Sequence, residues 1–545
     1  MRKLAIIFFS ALLATCKQHP VAEQVVLGKV WTGNDRSAWA EGFAISGDSI
    51  VAVGTESSIR SWIGPNTVVT ETGAGNLIVP GFIDCHTHFM DGGFALSSVQ
   101  LRDAMTKEEF INRIKAFALT QPKGAWITNG DWDHENWGGE LPTRDWIDSV
   151  TQDNPVWINR LDGHMNLANT AAIKLAGIDD QVKPVMGGTI VRDKKGRITG
   201  IFKDNATGLI DRVVPEATEE QKDRALQSAM QYVARQGVTS IHNMDGYMDV
   251  FERARASNTL ITRIYAGMSL RKWRELNEKI QKEGRGDKWL RIGLLKGFVD
   301  GSLGSHTAAF FKPFEDTPTD SGFFVITEAE LYKRVKSADS SGLHVAVHAI
   351  GDRAVNTLLN TYARVIKVNG EQDRRFRMEH AQHPVQADFR RFAELNVIPS
   401  MQPYHAIDDG RWAEKFIGNR IKTTYAFRSM INAQANLVFG SDWFVAPPIP
   451  LEGIYAAVTR QTIDGKNPGG WVPEQKISVE EALKSYTIRA AYASFEETIK
   501  GSIAPGKLAD FVVLEQDITQ IDPSEIRKVK VLKTVVGGKT VFEQQ

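Results

Sequence analysis

Three features of the chain predict an α/β fold in which eight parallel strands close into a (β/α)8 barrel. Between residues 218 and 442, short apolar runs alternate with amphipathic stretches of helical period. A further apolar run at 77–89, Leu-Ile-Val-Pro-Gly-Phe-Ile-Asp-Cys-His-Thr-His-Phe, precedes a long irregular stretch and supplies the remaining strand. Near both chain ends, short alternating runs broken by Gly-Asn-Asp and Gly-Asp read as hairpins outside the barrel. With 545 residues, 42% of them hydrophobic, the chain can bury one large core with attachments.

At the start, Arg2 and Lys3 precede an apolar run over 4–14 that is too short to span a bilayer and suits an export signal. Leu13-Ala-Thr-Cys16 resembles the lipobox of bacterial lipoproteins. Residues 1–16 are therefore read as a signal peptide, with Cys16 either lipidated as a membrane anchor or near the cleavage site of a periplasmic protein. Cys85 is the other cysteine, so a lipidated Cys16 leaves no intrachain disulfide. The 65 basic and 65 acidic residues balance and form no long run of one sign, which excludes the footprint of a nucleic-acid binder. The expected contact with a membrane is through the lipid anchor alone, and self-association is left open.

Residues 24–76 and 501–545 are expected to share one small β-sandwich domain, because runs at 25–30, 42–45 and 50–53 match others at 509–514, 529–536 and 540–542. Residues 77–500 form the barrel. An insertion after its first strand covers about 95–217, with a helix at 106–120 and then a Trp-, Gly- and Asp-rich stretch without clean alternation. Strands follow at 238–242, 262–268, 291–299, 344–348, 376–380, 397–402 and 436–442, with helices between them.

Side chains alternate along a strand, so His86 and His88 share one face, about 6 to 7 Å apart along the backbone, and can converge on a divalent ion. The remaining donors fall where a barrel places its active groups, at the strands' carboxyl ends: Lys296 on the fourth strand, His348 on the fifth, His380 on the sixth and Asp442 on the eighth. A lone buried histidine is ordinarily a satisfied core residue. Five strands that all deliver ligand-type side chains to one end are not explained that way.

Pro80-Gly-Phe-Ile-Asp-Cys-His-Thr-His88, Lys296-Gly-Phe-Val-Asp-Gly-Ser-Leu-Gly-Ser305, His348-Ala-Ile-Gly-Asp352, Glu379-His-Ala-Gln382, Gly440-Ser-Asp442 and Gly501-Ser-Ile-Ala-Pro-Gly-Lys-Leu-Ala-Asp510 together resemble the amidohydrolase superfamily. They point to its amidohydrolase-3 branch, the YtcJ-like and N-substituted formamide deformylase-like proteins. His306 departs from the branch, which often has Arg there; the departure touches a substrate contact rather than the metal site.

The resemblance implies one or two divalent ions. His86 and His88, completed by Asp442, would hold the more buried ion and His348 and His380 the second, with Lys296, carboxylated by carbon dioxide, bridging them. The competing assignment for Lys296 is an ammonium paired with Asp300. Mixed imidazole and oxygen donors suit Zn, and Mn or Fe are tolerated. Asp442 would be the catalytic proton carrier in hydrolysis of a small-molecule amide-type carbon–nitrogen bond. An ester or lactone substrate, or a non-catalytic secreted binding or regulatory protein, are the alternatives. His164, His306, His405 and Trp132 are the substrate-binding candidates. His164, Asn166 and Asn169 either cap the pocket or belong to an ordinary loop, and Trp132, Trp137, Trp443 and Phe444 either wall it or are core.

Overall fold

A computed structural model describes residues 21–544. Cys16 and the signal reading lie outside the described residues.

Eight parallel strands follow one another in chain order: Phe82–Thr87, Val238–Asn243, Arg263–Ser269, Leu290–Phe298, His344–Ala349, Arg377–His380, Ile398–Met401 and Val438–Phe439. A parallel bridge between Thr87 and Trp443 and the Asp442 N–H to the His86 carbonyl, at 2.7 Å, return the last strand to the first. Every residue of the first, second and fifth strands is buried, as parallel strands covered on both faces require. Helices supply the outer cover. Glu219–Arg235 is one example: Thr218 and Gln221 cap its start reciprocally, and Leu226, Met230 and Val233 form its buried stripe.

Two departures from the sequence reading have physical causes. Leu77–Pro80 does not extend the first barrel strand but pairs antiparallel with Phe511–Leu514. Pro80 has no N–H to continue the ladder. At Gly81 the chain crosses into the barrel so tightly that a Cβ would sit 2.2 Å from Thr239 Oγ1. The eighth strand is only two residues long, because the chain leaves the ladder at Gly440 and reaches Asp442 with φ +62°.

The chain ends meet in one eight-stranded sheet. Its path runs from Lys539–Glu543 through Val531–Val536, Phe511–Leu514, Leu77–Pro80, Gln24–Trp31 and Trp39–Ser46 to Ser49–Gly54, with Val68–Glu71 also on Gln24–Trp31. Asp510 ties this sheet to the barrel by receiving Arg263 Nε and Nη2 at 2.7 and 2.8 Å, both side chains buried.

The insertion holds a sheet that the sequence does not announce, in the order Gly188–Arg192, Ile198–Asp204, Met165–Ala168, Val156–Asn159 and Ile127–Thr128. Helix Lys107–Ala118, capped by Thr106, packs Phe110 and Ile114 into the same core. Among the described residues no helix is long and apolar enough to cross a membrane.

Candidate metal centre and active site

The strand ends bring five of the six expected ligands into direct proximity. Asp442 Oδ1 lies 3.2 Å from His86 Nε2 and 3.3 Å from His88 Nε2. Lys296 Nζ is 2.9 Å from the same His86 nitrogen, and Asp442 Oδ2 is 3.9 Å from His380 Nδ1. His348 completes the ring around the cavity, its imidazole centroid 4.5 Å from that of His380. Gly440 makes the approach of the eighth strand possible: a Cβ there would meet the His86 backbone nitrogen at 2.5 Å. Asp84 locks the two strand ends together by accepting the N–H groups of His86 and Ser441 at 3.1 and 2.9 Å.

These donors fit a divalent ion. Asp442 Oδ1 is buried and has no hydrogen-bond partner, although buried oxygens are almost always satisfied. Ligands on a tetrahedral ion with bonds of about 2.0–2.1 Å stand roughly 3.3 Å apart, the spacing seen between Oδ1 and the two imidazoles. The electrostatics agree. Burial lowers the His88 pKa, yet Asp245 and Asp442 outweigh it and push the group up to about 10; an ion held there would take the place of that proton. Burial raises Asp442, but the imidazoles of His86, His88 and His380 hold it well below the usual carboxylate range. Burial brings Lys296 down to about 8, against the pull of Glu379 and Asp442. The Lys296–Asp300 pair does not form: Asp300 instead accepts the backbone N–H groups of Ala309, Ile350 and Gly351 at 2.8–3.1 Å and pins the loop after the fourth strand.

Each imidazole is aimed by a second partner. His86 Nδ1 faces Glu379 Oε2 at 2.6 Å, and His88 Nδ1 bonds Asp245. His380 Nδ1 meets Gln402 Oε1 at 2.9 Å, and His348 Nε2 meets the Gly301 carbonyl at 3.0 Å. Arg377, fully buried, donates Nε to Glu379 Oε1 at 2.7 Å and Nη2 to the Cys85 carbonyl at 2.5 Å. Sequence reasoning missed Asp245, Arg377 and Gln402, and quoted Glu379 without a role. Glu379 and Gln402 had a usable signal, since each stands at or just beyond a barrel strand's carboxyl end.

A cleft opens from His348, His380 and Asp442 toward the insertion and the helix after the seventh strand. His164 and His405 line it, as expected. Asp204 holds His164 Nδ1 at 2.7 Å, and the carboxylate outweighs burial to raise the imidazole above its ordinary value. Phe444 stands beside His88, ring centroids 5.7 Å apart, and walls an adjoining groove. Two of the expected substrate contacts are placed elsewhere. Trp132 is fully buried in the insertion core, edge-on to Phe110, with its N–H on the Ile158 carbonyl; a large apolar ring with a satisfied N–H is better accommodated there. His306 packs on Phe314 and Phe416 and pairs with Asp316 at 3.0 Å, away from the cleft wall. Trp137 packs on Phe110, and Trp443 stacks on Tyr232 behind the site. Asn169 caps the helix Thr170–Leu175 within the insertion.

Residues 74–542 match the family model described as "Amidohydrolase family". The chain is 38% identical to Protein LONG AFTER FAR-RED 3 of Arabidopsis thaliana, across 95% of this chain and 91% of that protein. It is 27% identical to the N-substituted formamide deformylase of Arthrobacter pascens, across 95% and 98%. The crystal structure of an uncharacterized metal-dependent hydrolase from Pyrococcus horikoshii OT3 superposes with a TM-score of 0.74 at 26% identity, covering 92% of this chain and 99% of that one. With a barrel whose strand ends gather a metal-binding donor set, the chain belongs to the amidohydrolase family, in its amidohydrolase-3 branch, and is a metal-dependent hydrolase.

Proposed function

We propose that the protein hydrolyses an amide-type carbon–nitrogen bond, other than a peptide bond, in a small molecule, with water as nucleophile. The observation that carries this reading is Asp442, a buried carboxylate with one oxygen between His86 and His88 and the other toward His380 at the cleft floor. His86, His88 and Asp442 would hold one ion, preferably Zn, and His348, His380 and a carboxylated Lys296 would serve a second. A divalent ion supplies Lewis acidity and brings the pKa of water from 15.7 toward about 7.

The chain's own groups do the rest. Asp442 takes a proton from the attacking water and delivers it to the leaving nitrogen, the step that separates amide from ester chemistry because an amine leaves poorly without it. His164, held through Nδ1 by Asp204, presents its other nitrogen to the cleft and donates to the oxyanion of the tetrahedral intermediate. Burial makes the Lys296 amine easier to obtain uncharged, the form that adds carbon dioxide. The charge and composition of residues 1–16 support an exported protein, lipidated at Cys16 or periplasmic. Purified protein should hydrolyse members of a panel of N-formyl, N-acyl and cyclic amides, and lose that activity with a chelator. Turnover of esters alone would replace the amide reading, and turnover of neither would leave a binding protein.

A further inference from the structure

The cleft has a second polar pole, built by the helix Pro403–Asp409 that follows the seventh barrel strand. His405, Asp408 and Asp409 stand at i, i+3 and i+4 and so share one helix face; all three line the same cleft as His348, His380 and Asp442. The charges around this pole do not balance. Asp133 and Asp162 bracket Arg160, with its Nη2 and Nη1 at 2.9 and 2.7 Å. Arg411 pairs with Asp408 and reaches Asp133 at 3.3 Å. Two guanidinium groups are thus consumed by three carboxylates. Asp409, half-buried, forms no ion pair among the described residues, and its side-chain partner is the Tyr425 hydroxyl at 2.5 Å. Burial drives it up to about 8, because its charge is poorly compensated there; a cation seated beside it would draw out the ionised form.

Two independent features stand in the same wall. His405 is 8% exposed, and its Nε2 has no hydrogen-bond partner. Trp412 lines the same cleft with its indole. An aromatic ring beside an acidic group that lacks a cationic partner is the chemistry that recognises an ammonium group. An anionic substrate group finds no free guanidinium here, since Arg160 also spends its Nε on His134 Nδ1 at 3.2 Å.

We propose that the substrate carries an alkylammonium group that seats against Asp409 and Trp412 while its scissile bond lies over Asp442. This deepens, and rests on, the hydrolase reading above. The test compares two amides that differ only in a trimethylammonium or an isosteric tert-butyl terminus, with metal-loaded full-length protein. The cationic amide should have a kcat/KM higher by about 10-fold or more. Asp409→Asn keeps an acceptor for Tyr425 and removes the charge, so the cationic-to-neutral ratio should collapse toward one; Trp412→Leu should reduce the same ratio. Equal kcat/KM for the two amides in the wild type, or a ratio unchanged by Asp409→Asn, overturns the proposal. If neither amide is turned over, the amide reading fails but the cation site is still decided, by calorimetric titration with benzyltrimethylammonium. Binding that Asp409→Asn abolishes supports the site. Absent binding, or binding that the variant leaves intact, overturns it.

Discussion

Glu379→Gln tests whether the centre depends on the charge behind its ligands. In the structure Glu379 only accepts: Oε1 takes Arg377 Nε at 2.7 Å, and Oε2 takes Arg377 Nη2 at 3.1 Å and faces His86 Nδ1 at 2.6 Å. All three side chains are fully buried. An amide has one acceptor and one donor end. If its nitrogen turns toward His86, it donates to Nδ1 and forces the imidazole proton onto Nε2, the atom that faces Asp442 and Lys296. If its nitrogen turns toward Arg377, two donors meet and the guanidinium loses its carboxylate. Loss of such an orienting partner costs roughly 10- to 100-fold in metal affinity. Breaking a buried ion pair costs about 3–5 kcal/mol; here the lower end applies, because Arg377 keeps the Cys85 carbonyl, Ser400 Oγ and His242 Nδ1. Titration of Zn against a competing chelator measures the affinity, and thermal melting with bound ion removed measures the stability. An affinity within about 3-fold of wild type would show that Glu379 only fills space, and the reasoning would fail.

Protein purified without chelator should contain one to two equivalents of divalent metal, and His86→Ala or His88→Ala should abolish hydrolysis while the circular dichroism stays that of the folded barrel; metal-free active enzyme would refute the centre. Lys296→Ala should lose most activity and much of any second ion, with partial recovery in added acetate or propionate; mass spectrometry showing an unmodified lysine in fully active, fully loaded enzyme would remove the bridging role. Deleting everything after Lys500 should give insoluble protein, because it strips Phe511–Leu514 from Leu77–Pro80 and leaves Arg263 buried without Asp510; a soluble, fully active truncation would contradict this.

The barrel was legible because apolar runs alternate with helical stretches and several strands carry a residue of definite chemistry at or near the carboxyl end, as His348 does in His344–Ala349 and His380 in Arg377–His380. The candidate ligands stood out for the same reason. What escaped the sequence depended on three-dimensional partners. Arg377 begins a strand and reads as an ordinary basic residue until its guanidinium is found between Glu379 and the Cys85 carbonyl. Trp132 sits among Gly and Asp residues that resemble a pocket rim, and only the packing against Phe110 shows it to be core. The insertion sheet was hidden because its strands, two to seven residues long, are too short for a period-2 pattern to stand out. The shared sheet of the chain ends was readable as matching patterns, but not its register, which made Leu77–Pro80 a member of that sheet instead of the barrel.

The cleft and the candidate metal centre both contact one loop, residues 300–309. Asp162 of the insertion receives the hydroxyls of Ser302 and Ser305 at 2.5 and 2.8 Å, and Lys203 Nζ donates to the Ser305 carbonyl at 2.8 Å. The same loop gives its Gly301 carbonyl to His348 Nε2, and Asp300 fastens it to the backbone at Ile350 and Gly351, just beyond the fifth strand. The insertion is therefore not a separate lid resting on the barrel. Arg160 and Asp162, which shape the polar pole of the cleft, stand against the same loop whose Gly301 carbonyl meets His348, a candidate ligand. Substrate preference in this architecture can change through cleft residues such as Asp409 that do not touch the loop. Changes at Asp162 or Ser302 would instead act on the loop that also contacts His348.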